Sequence, residues 1–231
     1  VVAVGGSGRG GADGVLGSAE WLDPAEGAWE PLRGLRQARS RCGVATVRGG
    51  LYVMGGCGPG GAALASVERL DAQSADWGGL PPLRTARLTC SGGAVGGRLY
   101  ALGSEELDGA SVTPAAALEV LDLDAVGAGW ACLPPIPAPK GAFAGAAAAG
   151  RLYAVGGWSW LDYSGAVQRF CPREGAWAAL PRMPTRRAWC AAACVRLPCE
   201  HGERARLAEE AAPEAPPATP ARGGAALLPN G

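Results

Sequence analysis

The chain has 231 residues, and its 21 basic and 21 acidic side chains give a formal net charge of zero at pH 7. This balance gives no support for a nucleic-acid partner or for binding to an anionic membrane surface. No apolar run approaches the length of about 18 residues that a membrane-spanning helix requires, so we expect no membrane partner either.

A short apolar phrase that ends in glycine recurs about every 50 residues along the chain. Its copies are VVAVGG from Val1, LYVMGG from Leu51, LYALGS from Leu99 and LYAVGG from Leu152. A tryptophan follows each copy in phase, at Trp29, Trp77, Trp130 and Trp177. A period of this length indicates a repeat protein, in which each unit buries its apolar faces against its neighbours.

The second copy shows the unit most clearly, and it predicts four short strands. These are the apolar, β-rich run Cys42–Val47, the phrase Leu51–Met54, the segment Ser66–Asp71, and the run from Asp76 to Leu80. Four antiparallel strands make a blade, and blades arranged radially make a β-propeller. We therefore predict an all-β protein with four visible blades of about 50 residues each. The repeat residues expected to be structural are Gly5, Gly6, Gly55, Gly56, Gly103, Gly156 and Gly157, the four tryptophans above, and Tyr52, Tyr100 and Tyr153.

A basic residue stands three positions before each predicted first strand. These residues are Arg39, Arg87, Lys140 and Arg187. A long cation that recurs at one strand entrance is expected to pack its stem on the blade while its charge meets acceptors at the turn. The favoured interpretation of all four is structural.

The repeated features resemble the kelch repeat. The similarity rests on the double glycine after an apolar strand with tyrosine, the tryptophan that follows, the Leu-Pro-Pro or Pro-x-Met-Pro exit, and the basic residue before the next strand. It covers residues 1–195, with departures at Ser104, which replaces a glycine, and at Cys171, which replaces an aspartate. The resemblance implies a kelch-type β-propeller over residues 1–196, similar to the C-terminal kelch domain of BTB-kelch proteins.

The sequence also makes predictions about the two ends of the repeat region. The chain opens on a second strand, and Ala188–Val195 is predicted as a first strand able to complete the first blade. Because kelch propellers usually have about five to seven blades, we expect further blades upstream. Residues 197–231 are rich in Ala, Pro, Glu and Gly and are predicted to form a disordered tail.

The cysteines and the single histidine give no support for a metal site or for catalysis. Cys42 and Cys90 occupy a slot that Phe143 fills in another repeat, which predicts buried, reduced thiols and an intracellular protein. We expect it in the cytoplasm, with the cytoskeleton and the nucleus as alternatives. Cys190, Cys194, Cys199 and His201 formally offer four zinc ligands, but the first two share one face of a predicted strand, as core residues do. We therefore predict no metal, no cofactor and no enzyme activity. The aspartates that recur once per blade, at Asp23, Asp71 and Asp122, are expected to accept turn N–H groups.

The loops that differ between repeats are where partner binding is expected. The loop 158–165 carries Trp158, Trp160 and Tyr163, which are candidate anchors for a protein partner, although the sequence fits equally well with their folding back over the blade. The loops before the first strands add the candidate arginines Arg36, Arg41, Arg84 and Arg186. Arg41 stands where kelch substrate receptors carry ligand-contacting arginines, and an arginine there can pair bidentately with an acidic peptide.

The function that the resemblance implies is protein–protein interaction. BTB-kelch proteins act as substrate receptors of cullin-RING ubiquitin ligases, through BTB and BACK domains that would lie outside this chain. The alternatives are a scaffold that binds actin and the cytoskeleton and, less favoured, an enzyme on a kelch-like propeller.

Overall fold

The structure is a computed structural model that describes residues 1–9, 14–104, 118–137, 141–159 and 162–195. The tail predicted for residues 197–231 lies outside these residues. The chain divides into two units, Val1–Cys194 and Val195–Gly231, and the fold described below is that of the first unit.

Antiparallel sheets that follow one another along the chain build this unit. Blade 1 consists of β1 (Val2–Val4), β2 (Ala19–Asp23) and β3 (Ala28–Leu32). Blade 2 consists of β4 (Gly43–Val47), β5 (Gly50–Met54), β6 (Val67–Leu70) and β7 (Trp77–Leu80). Blade 3 consists of β8 (Thr89–Val95), β9 (Arg98–Ser104), β10 (Leu118–Asp122) and β11 (Ala131–Leu133).

Blade 4 interrupts its four-stranded sheet with a small hairpin. The sheet consists of β12 (Ala144–Ala148), β13 (Arg151–Val155), β16 (Val167–Cys171) and β17 (Ala176–Leu180). The hairpin consists of β14 (Trp158–Ser159) and β15 (Asp162–Tyr163). A 3-10 turn at Pro59–Gly61 is the helical element among the described residues, which contain no α-helix. The prediction of an all-β, kelch-type β-propeller is confirmed.

Blade 1 differs from the other blades because it has three strands rather than four. The prediction that Ala188–Val195 forms a first strand is wrong for this structure, in which residues 188–195 form no strand. A strand exists through its ladder of hydrogen bonds, and this segment does not pair with β1 or with any other described strand.

The core lies between the blades rather than within any one of them. Tyr52 and Met54 of β5 pack in a cluster with Leu99 and Ala101 of blade 3, whereas Val53, between them, faces a cluster shared with blade 1. Successive side chains of a strand point to opposite faces of the sheet, so a central blade buries both of its faces. A central blade therefore depends on both of its neighbours for its stability.

Close approach of the first strands explains why they are rich in glycine and alanine. A Cβ added at Gly92 of β8 would lie 2.7 Å from the carbonyl oxygen of Val44 in β4. A Cβ added at Gly145 of β12 would lie 2.7 Å from the Cβ of Ser91. Larger residues at these positions would force β8 away from β4 and β12, the first strands of the neighbouring blades, with which it is in contact.

Candidate functional site

Strand order places all the candidate binding loops at one edge of the blades. Within an antiparallel blade, the loop between the second and third strands and the loop before the first strand both lie at the edge where the second and fourth strands end. Backbone hydrogen bonds join the two kinds of loop, from Leu35 N to Gly17 O and from Leu83 N to Ala65 O, both at 2.8 Å. We call this edge the loop edge.

Arginines at the loop edge are fixed by buried carboxylates in the next blade. Arg39 lies after blade 1 in the chain, and its Nη2 donates to Glu68 Oε1 in β6 at 2.6 Å. Its Nη1 donates to the carbonyl oxygens of Gly55 and Ser66 at 2.8 and 2.9 Å. Arg39 and Glu68 are both buried, so this cation is structural, as the repeat predicts.

The same arrangement recurs one blade later. The Nη2 of Arg87 donates to Glu119 Oε1 at 2.8 Å, and both side chains are buried. Glu119 also accepts hydrogen bonds from the backbone N–H groups of Arg84 and Thr85, at 2.7 and 3.2 Å. The guanidinium group of Arg87 is fully buried. The repeat pattern predicts the arginine but not its buried glutamate partner. We call this arrangement the arginine clip. The equivalent Lys140 lies outside the described residues.

The repeat tryptophans join neighbouring blades through their indole N–H groups. Trp77 donates to the carbonyl oxygen of Arg33 at 2.8 Å, and Trp130 donates to that of Pro81 at 2.8 Å. Trp177 donates to the carbonyl oxygen of Pro134 at 2.9 Å. Each acceptor follows the tryptophan of the preceding blade by four positions. The recurrence of this bond at three junctions makes it part of the scaffold.

An aromatic patch lies on the loop edge of blade 4. The ring centroid of Trp189 lies 6.2 Å from that of Trp158 and 6.3 Å from that of Tyr163, against which it stands edge-on at 75°. Trp189 is 62% exposed and Tyr163 is 52% exposed. The sheet register pairs Trp158 with Tyr163 across the β14–β15 hairpin. We call Trp158, Tyr163 and Trp189 the aromatic patch.

The backbone holds the aromatic patch in place. Trp189 has a left-handed φ of +50°, and its N–H donates to the carbonyl oxygen of Ala142 at 2.8 Å. Trp158 forms a bridge to Gly141, which ties the hairpin to the rest of blade 4. Exposed rings on a fixed backbone can bind a partner with little loss of conformational entropy. Sequence reasoning had placed Trp189 in a core strand and so missed it.

Of the seven candidate binding residues, the structure brings three together beside the patch. Trp158 and Tyr163 lie in it, and Arg186 forms an ion pair with Asp162 of the same hairpin. Trp160 lies outside the described residues.

The other candidate arginines are spread along the loop edge. Arg36 lies over blade 2, with its Nη1 3.9 Å from where a Cβ on Gly79 would stand. Arg84 is exposed, and its backbone is held by Glu119. Arg41 is exposed and has a left-handed φ of +53°.

Arg41 and Trp189 line the same depression between the first strands. This cavity of about 340 Å³ is also lined by Cys42, Cys90 and Cys190. Burial raises the pKa of Cys42 and raises that of Cys90 to about 12, so both thiols stay protonated at neutral pH. The depression can therefore accept an apolar group, with the Arg41 cation at its rim.

The seven cysteines of the described residues are free, and Cys199 and His201 of the formal zinc cluster lie outside those residues. Within the described part of the chain, no three His, Cys, Asp or Glu side chains come close enough to hold a metal ion. Nor does any helix in that part have the length and apolar character needed to cross a membrane.

The opposite edge of the blades carries turns stabilised by carboxylates. Asp71 Oδ1 accepts hydrogen bonds from the backbone N–H groups of Gln73 and Ser74, both at 2.9 Å, and these bonds lower the pKa of Asp71. Arg48 and Asp124 form a bidentate ion pair between blades 2 and 3, at 2.5 and 2.7 Å. Asp23 and Asp122 likewise accept backbone N–H groups in their turns, as the recurrence of these aspartates predicts.

Comparison with known protein families agrees with this architecture. The family model described as the Kelch motif matches residues 38–84 and 139–184, which span blade 2 and blade 4. No curated protein matches the chain. The chain therefore carries kelch motifs on a kelch-type β-propeller fold, and kelch repeats form protein–protein interaction modules.

Proposed function

We propose that the chain binds a peptide segment of a protein partner at the loop edge of blade 4. The observation that carries this proposal is the aromatic patch, in which the exposed rings of Trp189 and Tyr163 stand on a fixed backbone. Tryptophan and tyrosine are the residues most often found at the energetic centre of protein interfaces. An apolar side chain of the partner would pack against Trp189 and enter the neighbouring depression.

Charge at the rim of the depression favours an acidic residue next to that apolar anchor. Arg41 lines the depression, and its guanidinium can bind a carboxylate bidentately, which the ammonium group of lysine cannot do. Arg186 pairs with Asp162 of the hairpin, whereas Arg41 lines the depression itself, next to the proposed position of the apolar anchor. We therefore propose a short peptide with an apolar residue followed or preceded by Asp or Glu.

The proposed biological role is that of a substrate receptor for a cullin-RING ubiquitin ligase, in a longer BTB-kelch protein. Its support is the kelch motifs together with a loop edge suited to peptide binding. The loop edge would select the substrate, and the BTB and BACK domains would bind the ligase scaffold.

A peptide-display selection against the 231-residue chain tests the binding site. Peptides that are enriched should bind Trp189→Ala at least about 30-fold more weakly, the size of an interface hot spot. Arg41→Lys should weaken those peptides that carry an acidic residue. Val126→Ala is the matched control, because Val126 is a fully exposed apolar side chain in the turn after β10, at the opposite edge. Equal binding to Trp189→Ala and Val126→Ala, with both variants folded by circular dichroism, would refute the site.

The ligase role needs a separate measurement on the full-length protein. Co-purification of a cullin scaffold with that protein is the expected result. If peptides bind the aromatic patch but no cullin co-purifies, the binding site stands and the ligase role is wrong.

A further inference from the structure

A groove lies on the face of blade 2 that packs against blade 3. It has a volume of about 450 Å³, and its lining includes Tyr52, Arg69, Gly78 and, from blade 3, Leu123. Arg69 pairs in the sheet with Tyr52 on one side and with Gly78 on the other, so these three positions share one face. We call this groove the outer groove. It shares no residue with the aromatic patch of blade 4.

Arg69 is a cation of the outer groove to which no described carboxylate is bound. Its guanidinium carbon lies 5.8 Å from the centre of the Tyr52 ring, which is buried. A Cβ added at Gly50 would lie 3.2 Å from Arg69 Nε and 3.3 Å from the Tyr52 hydroxyl oxygen, so the two polar groups converge. Neither side chain forms a hydrogen bond or an ion pair with any described residue. The buried ring therefore positions a guanidinium whose N–H donors are unused.

The other charged groups of the outer groove are already engaged. Arg48 forms the bidentate ion pair with Asp124. Asp71 accepts backbone N–H groups of its own turn, and these bonds are the main cause of its lowered pKa. The charge of Arg69 lowers that pKa least, so Asp71 lies near the guanidinium without binding it. Arg69 is thus the charged group of this groove that is available to a ligand.

Blade 3 has the same groove, but there an arginine is neutralised. Arg98 stands at the repeat position of Gly50, and its Nε donates to Asp122 Oδ2 at 2.9 Å. This groove measures about 320 Å³. The third-strand position that Arg69 occupies varies from blade to blade, as Trp21, Arg69, Val120 and Arg169. The repeat therefore does not require an arginine at position 69.

Two glycines keep the outer groove open, and the fold of blade 2 does not require them. Neither Gly78 nor Gly79 has a positive φ. A Cβ at Gly78 would meet nothing nearer than the Arg69 carbonyl oxygen at 4.0 Å, and one at Gly79 nothing nearer than Arg36 at 3.9 Å. Glycine inside a strand weakens it and marks a place where a ligand or another backbone comes close. No described segment of this chain makes such an approach here.

The outer edge of β7 offers main-chain groups to an approaching backbone. In the sheet order β4-β5-β6-β7, no described strand lies beyond β7. The bond from Asp71 N to Asp76 O sets the alternation of the β6–β7 ladder, which leaves the N–H and C=O groups of Gly79 pointing outwards. An extended segment that pairs there places alternate side chains on the face of Arg69. Gly78 has no side chain to obstruct them.

We propose that the outer groove binds an acidic side chain, Asp or Glu, from an extended segment of a protein partner that pairs with the outer edge of β7. The carboxylate binds Arg69 and the Tyr52 hydroxyl. The stem of the side chain lies over Gly78, beside Leu80 and Leu123. A carboxylate fits because the groove combines one unbound guanidinium with apolar walls. A protein fits because a strand edge adds main-chain hydrogen bonds, and kelch repeats form protein–protein interaction modules.

A peptide-display selection on the Trp189→Ala variant of the 231-residue chain tests the proposal, because this variant lacks the anchor proposed for blade 4. Enriched peptides should carry Asp or Glu, and replacing that residue with Asn or Gln should weaken binding about tenfold or more. Arg69→Gln should have an equal effect. Gly78→Leu should abolish binding without lowering the urea midpoint, because the added side chain fills open space. Ala131→Leu is the matched control at the same repeat position in blade 3, and it should leave binding unchanged.

Three results would overturn the proposal. One is a selection that enriches no peptide, and another is equal binding to folded Gly78→Leu and Ala131→Leu. The third is an affinity that stays the same when the acidic residue of the peptide or Arg69 is neutralised. Should Gly78→Leu fail to fold, Arg69→Gln carries the test, with Arg173→Gln in an exposed turn as its control. Because the selection uses Trp189→Ala, binding at the outer groove and binding at blade 4 can fail separately.

Discussion

Removing one charge of a buried arginine clip should destabilise the propeller far more than removing a charge from its surface. In Glu119→Gln the shape is kept but the carboxylate that neutralises Arg87 is lost. Because Arg87 is fully buried, its cation cannot recover hydration without opening the junction. The backbone N–H groups of Arg84 and Thr85 also lose a charged acceptor. Breaking a buried pair in this way costs about 3–5 kcal/mol.

Urea unfolding followed by tryptophan fluorescence measures this cost. Since the denaturant slope of a small domain is about 1–3 kcal/mol per molar, the midpoint should fall by at least roughly 1 M. Trp130 lies at the same blade junction and reports its opening. Glu26→Gln removes an exposed carboxylate from a turn and should change the free energy of unfolding by less than about 0.5 kcal/mol.

A double substitution checks that an unpaired buried charge is the cause. Arg87→Met removes the cation that Glu119→Gln leaves unpaired. The two changes together should therefore cost at least about 1 kcal/mol less than the sum of their separate costs. If the costs of Arg87→Met and Glu119→Gln simply add, or if Glu119→Gln unfolds at the midpoint of Glu26→Gln, the reasoning is refuted.

Two further outcomes are expected for the scaffold. Gly56→Ala should lower the free energy of unfolding by about 2 kcal/mol more than Gly49→Ala does. Both glycines have a positive φ, so both substitutions strain the backbone. Only at Gly56 would the added Cβ also clash, because it would lie 2.4 Å from the Ser40 carbonyl oxygen. Equal urea midpoints for the two variants would contradict this. The pKa of Asp71 is held below its ordinary value by backbone N–H groups, so its contribution to stability is present at neutral pH and is lost as pH falls below about 4. In Asp71→Asn, the free energy of unfolding should therefore fall less steeply as the pH is lowered below about 4. If it falls as steeply in Asp71→Asn as in the control variant Glu174→Gln, this prediction is contradicted.

Local signals in the sequence were enough to predict the strands of blade 2. The run Cys42–Val47 and the phrase Leu51–Met54 correspond to β4 and β5, and the segment Ser66–Asp71 contains β6. Alternation of side chains and the need for glycine at the strand end act within a few residues, so one strand carries its own evidence. The segment Ala188–Val195 has the same pattern but forms no strand, because a strand also needs a partner.

The candidate site was predicted only in part. Trp158 and Tyr163 could be found because they are unusual residues in one variable loop, which the sequence shows directly. Trp189 comes from the loop after the last strand of blade 4, and only the folded chain brings its ring 6.2 Å from that of Trp158.

By itself, the sequence determined that this protein is a propeller built of repeated four-stranded units, because period, strand pattern and turn glycines are properties of neighbouring residues. Only the tertiary structure decided which of the repeated residues are buried with a hydrogen-bond partner and which are exposed. Arg39 and Arg187 stand at the same place in the repeat, yet one is buried on Glu68 and the other is exposed. Arg39 is buried because β6 of the next blade packs against it, and that contact joins residues 29 positions apart in the chain.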